Sequence, residues 1–140
     1  MNNFANNSRV GLLGVVCGLL LLSACATSVS TENQIEQRVT ARWETLLSGD
    51  LAGAYEYLSP GYRSSVSLMQ YQRSVLLQQV KWTSAKYVES TCEETTCSVK
   101  VLVGFTVYGA LPGVKSFNGT KDIEESWVLI SGNWYLVPPQ

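Results

Sequence analysis

At Val80 the spacing of apolar residues changes, and no other feature of the chain constrains its fold as much. Before that point Ile35, Val39, Trp43, Leu46 and Leu47 recur at helical intervals. After it the period drops to two. Val99, Val101, Val103, Phe105 and Val107 form one alternating row, as on a strand that buries a single face. Helices gathered first and strands gathered last predict an α+β domain.

The boundaries follow from local chemistry. Thr31 to Gln34 fits a capping box, with Thr31 as the cap. Ser48-Gly49 closes the first helix, because glycine tolerates the left-handed exit. Asp50 caps a short second helix bearing Leu51, Ala54, Tyr55 and Leu58, and Pro60-Gly61 is expected to stop it. Ser67 with Gln70 repeats the box and opens a third helix that would bury Leu68, Tyr71, Val75 and Leu76.

Strands are expected over 81–91 and 97–108, joined by the turn "EETT" between Cys92 and Cys97. If the two cysteines face each other, Glu89 faces Lys100, an opposite-charge pair that supports this register. Val88 then faces Val101 and Trp82 faces Val107, with Gly104 the place where a bulge would break the parity. A loop over 109–116 leads to a third strand, 117–130, and "SGN" at 131–133 turns the chain into a last strand, 134–138. Trp127, Leu129, Trp134 and Leu136 share one face of that hairpin. The expected plan is three N-terminal helices packed on a curved four-stranded antiparallel sheet.

The N-terminus gives an address. Val10 to Leu22 is apolar and free of charge, and ends at Leu22-Ser23-Ala24-Cys25. As a helix this run would reach only about 20 Å, short of the roughly 30 Å of a bilayer core, so it fits the apolar region of a secretory signal. "LSAC" resembles the bacterial lipobox at all four positions. That resemblance implies cleavage after Ala24, fatty acylation of Cys25, and, with Ala26 rather than Asp next to it, an outer-membrane destination facing the periplasm. Residues 1–24 are then a signal peptide, 25–31 a lipidated tether and 32–140 a single α+β domain. Two or more acyl chains anchor stably where one does not.

An oxidising periplasm favours a Cys92–Cys97 disulfide. A redox or metal pair is the alternative, but the spacing is not CxxC and the chain contains no histidine to complete a zinc site.

"RWETLLSGDLAGAYEYLSPGYR" and "ESWVLISGNWYLVPP" resemble the first helix, acidic turn and short helix, and the terminal hairpin, of the nuclear transport factor 2-like, or SnoaL-like, superfamily. The resemblance spans about 32–138. It implies a cone-shaped, cystatin-like domain in which the sheet wraps the first helix, and a cavity that some members use for catalysis.

The absence of histidine excludes His-dependent nucleophile systems and any His general base. Only carboxylates and tyrosines could carry cavity chemistry. Glu125 shares the Trp127 face, so it could sit in an apolar pocket as a base; the bland alternative is a solvated rim carboxylate or one paired with an arginine. No metal site is expected from Asp122, Glu124 and Glu125, which lack EF-hand spacing. Tyr55, Trp82, Phe105 and Trp127 are candidates to line a pocket for a small apolar ligand; as aromatics they could equally fill the core.

The whole chain carries a net charge of −1 with scattered signs, which argues against nucleic acid. The expected function is a lipid-anchored periplasmic domain, without cofactor, that binds a small apolar ligand or an envelope protein. Two alternatives stand: a module whose sheet makes a homodimer, and a cavity isomerase or dehydratase using Glu125 and a tyrosine.

Overall fold

The computed structural model describes residues 30–111 and 113–139. The expected signal peptide, the expected acylation site Cys25 and the expected tether as far as residue 29 lie outside the described residues. The described chain is α+β, with four helices followed by a four-stranded antiparallel sheet. None of these helices is long and apolar enough to cross a membrane.

Helix α1 spans Thr31–Leu47 and is capped by Ser30, one residue before the expected Thr31, with the Ser30 hydroxyl accepting from the Asn33 amide at 3.3 Å. Its buried stripe is Ile35, Val39, Arg42 and Trp43. Asp50 caps α2 (Leu51–Tyr55), its carboxylate accepting from the Gly53 amide at 2.8 Å.

Pro60 was expected to end a helix, and instead begins one. Helix α3 spans Pro60–Ser65, with Ser59 as its cap and Pro60 in the first turn. A first-turn amide has no partner within the helix, so proline loses nothing there and its fixed φ suits helix entry. This fourth helix is the correction to the expected three. Helix α4 (Leu68–Leu76) carries the Ser67/Gln70 capping box and buries Tyr71, while Leu76 and Leu68 are exposed rather than packed.

Strands β1 (Val80–Cys92), β2 (Thr96–Leu111), β3 (Val114–Ile130) and β4 (Asn133–Val137) pair in sequence order. Cys92 faces Cys97, to which it is disulfide-bonded, and Glu89 faces Lys100, to which it is ion-paired. Beyond that the simple register fails twice. Val101 faces Tyr87 rather than Val88, and Trp82 faces Phe105 rather than Val107. Shifts at Val88 and at Thr83 each insert one residue into β1, as a bulge does. Gly104 lies across from the second of these, on β2. A Cβ there would collide with Ser84 Oγ and stand 3.0 Å from Thr83 Oγ1, so the glycine makes room for the bulged strand.

Residues 109–116 are largely paired, not a loop: the β2–β3 ladder runs out to Leu111 and Val114. The β3–β4 turn is Ser131-Gly132, both at positive φ (50° and 80°), which is the backbone of a tight twisted hairpin.

Ile35, Val39 and Trp43 from α1 share one buried cluster with Val99, Val101 and Val103 of β2, Trp127 of β3, and Trp134 and Leu136 of β4. The α2–α3 link is pinned to the last strand: the Ser59 amide donates to the Leu136 carbonyl and the Leu136 amide to the Tyr57 carbonyl, both at 2.8 Å. This link, α1, α4 and the middle of β3 frame an open cleft.

Candidate functional site

Alternation on β3 turns Ile123, Glu125 and Trp127 toward the helices and Asp122, Glu124 and Ser126 away from them. Opposite Glu125, one turn of α1 presents Arg42 and Trp43. Glu125 is 7% exposed and takes three donors. Arg42 Nη1 and Trp43 Nε1 both bond Oε1 at 3.1 Å, and Trp127 Nε1 bonds Oε2 at 3.0 Å. A carboxylate offers about four lone-pair sites, so nearly all of its accepting capacity is used inside the protein. Burial pushes the Glu125 carboxyl above the usual range, opposed by the Arg42 charge and by the Trp127 and Trp43 hydrogen bonds. Of the two alternatives for Glu125, the structure has the arginine pair, but buried rather than at a wet rim.

This clamp stands at the side of a cleft of about 650 Å³. Leu46, Leu58, Val75, Trp82, Ile123 and Leu136 supply apolar wall, with Tyr62 and Tyr71 from α3 and α4. The Tyr71 phenol lies beside Arg42; burial raises its pKa, and the arginine opposes that. Arg42, Glu125 and the Trp43 indole thus make a charge-balanced patch beside the apolar wall of a cleft whose β3 side also carries Lys121, Asp122 and Glu124; the apolar wall suits an apolar group.

The four aromatic candidates do not come together. Trp82 lines the cleft and meets Trp43 edge-on at 5.9 Å. Phe105 is half-buried beyond Trp82, 6.4 Å away, and packs on toward Phe117. Trp127 is 1% exposed, in the core behind Glu125. Tyr55 is buried against Tyr71, its hydroxyl donating to the Val66 carbonyl at 2.7 Å. The disulfide lies at the β1–β2 turn, among residues that do not line the cleft.

Arg42 is the site residue that the sequence reading missed. A signal was present: Ile35 and Val39 project the apolar stripe onto position 42, where a charge interrupts it. A charge on a buried stripe needs a partner, and Glu125 on an apolar strand face is its complement.

No family model matches the sequence, and no curated protein matches it. Among solved structures the domain is similar to a SEC-C motif containing protein from Rhodopseudomonas palustris, with a TM-score of 0.56 at 12% identity over 72% of this chain and 73% of that one. At that identity the likeness is one of fold alone, and fold does not assign function.

Proposed function

We propose that this chain is a lipid-anchored, non-catalytic binding domain at the periplasmic face of the outer membrane, built as a nuclear transport factor 2-like cone. Its cleft accepts an apolar group, from a small ligand or from an envelope protein. The cleft between α1, α4 and β3 is the observation that carries this reading. Its size lies within the usual 300–1,000 Å³ of ligand sites. The gathering of four helices on one antiparallel meander supports the cone.

Two observations favour binding over catalysis. Glu125, the candidate base, already accepts three hydrogen bonds, and no tyrosine hydroxyl among the described residues bonds it. A general base needs a free lone pair facing its substrate. The homodimer reading is weakened because the outward sheet face carries Lys86, Glu89, Lys100, Asp122 and Glu124.

The cleft is tested with N-phenyl-1-naphthylamine, an uncharged apolar fluorophore, titrated into the domain released from its anchor. Saturable one-to-one binding is expected. Val75→Trp, which fills the cleft wall, should weaken it at least ten-fold. Fluorescence that rises linearly without saturation would remove the cleft reading.

The address is tested separately. Cys25→Ala should abolish acylation and leave the precursor uncleaved or mislocalised, as read by mass and by membrane fractionation. Normal processing and membrane attachment of Cys25→Ala would overturn it.

A further inference from the structure

The cleft has an unusual wall. Inward-facing Ile123 and Glu125 line it, and so do outward-facing Asp122, Glu124 and Ser126. One cavity touches both faces of a strand only by running along that strand's free edge. The pairing explains why the edge is free. On the β4 side, β3 pairs Ile130, Val128 and Ser126 with Asn133, Tyr135 and Val137. Continued by two residues, the same register would set Pro139 against Glu124. Proline has no amide to donate, so the ladder stops there. Even-numbered β3 residues turn their backbone toward β4, while Leu129, an odd one, donates to the Thr95 carbonyl on the opposite side. The amides and carbonyls of Glu124, Asp122 and Thr120 therefore point along the open edge, with no strand partner among the described residues.

We infer that this edge is a strand-addition site, and that its occupant is an extended segment of an envelope protein with alternating apolar and basic residues. The inference rests on the binding reading above and assigns its cleft to a peptide. An antiparallel segment continuing the line of β4 would meet the three free backbone positions in turn. Its alternate side chains would drop into the cleft beside Ile123, Val75 and Trp82. The others would lie on the outer face across from Asp122 and Glu124, both exposed, where basic residues are the favoured cross-strand partners.

The probe is a seven-residue peptide of alternating lysine and valine, acetylated and amidated, added to the full chain in a neutral detergent. Saturable binding is expected, with amide hydrogen exchange slowed at least ten-fold within residues 119–125. N-methylation at the lysines, whose amides would face β3, should abolish binding; N-methylation at the valines should leave most of it. Asp122→Pro removes an edge amide that bonds nothing in the sheet, so it should keep the fold and lose the peptide at least ten-fold. If that variant unfolds, the two N-methylated peptides still decide. Binding that ignores lysine N-methylation, or that leaves 119–125 unprotected, would overturn strand addition. Failure of the peptide while the naphthylamine still binds would sink this inference alone; failure of both would remove the cleft reading with it. Protection of 119–125 that grows with protein concentration and needs no peptide would assign the edge to a second copy and overturn the peptide.

Discussion

Trp127→Ala should lower the free energy of unfolding by about 3–5 kcal/mol, the usual cost of emptying a large aromatic site in a core. Trp127 is 1% exposed, among the largest fully buried side chains of the domain, and does not line the cleft. Its loss would open a void between α1 and the sheet and take one donor from Glu125. Trp127→Phe keeps one ring of packing while losing the donor and the rest of the indole, so it should cost distinctly less. Urea unfolding of both variants, with the slope checked against wild type, measures the difference. Equal costs would mean that the hydrogen bond, not the ring, dominates at this position.

The second large effect is at the ion pair. Glu125→Leu leaves the Arg42 guanidinium and two indole N–H groups without their acceptor, at 7% exposure for both Glu125 and Arg42. Stranding one partner of a buried pair costs about 3–5 kcal/mol, whereas replacing both by apolar residues often costs little. Arg42→Met/Glu125→Leu should therefore be clearly more stable than Glu125→Leu alone. A double variant as unstable as the two single losses added together would show that the pair is not an energetic unit.

The same carboxylate should give the domain a pH dependence of defined sign. Burial, the largest cause, raises the native pKa of Glu125 above its ordinary value of 4.5, with Arg42 and the indoles opposing. The native state thus holds this proton more tightly than the unfolded chain. The stability it contributes is fully present below the unfolded value and is lost as pH rises through the native one. Glu125→Gln cannot titrate, so the difference in urea midpoint between wild type and Glu125→Gln should change across that interval. A difference that stays constant from pH 4 to 8 would place the native pKa at its ordinary value.

The sequence made the class of fold legible because it rests on periodicity and capping, both local. The α1 stripe, the Asp50 and Ser67 caps, the Cys92/Cys97 register and the shared face of Trp127 and Trp134 could all be read from neighbours in the chain. What could not be read depends on exceptions to periodicity. Pro60 has one appearance whether it ends a helix or starts one; the capping Ser59 hydroxyl, which accepts from the Tyr62 amide, decides it. The strength of Glu125 as a site residue was hidden because its partner lies 83 residues away. The aromatic candidates scattered because a ring's hydrophobicity is the same in a core as in a cleft.

The two extra residues of β1 bear on which kinds of mutation the chain can tolerate. Inward positions on this strand fall at Val80, Trp82, Ala85, Tyr87, Ser90 and Cys92, a spacing of two, three, two, three, two. Removing Val88, an exposed side chain whose substitution should matter little, would exchange inside for outside along one flank of the strand. Either Tyr87 and Trp82 would turn to solvent, or Cys92 would turn away from Cys97. Strand β1 therefore has a reading frame: its amino acids can drift at the bulges, but its length cannot.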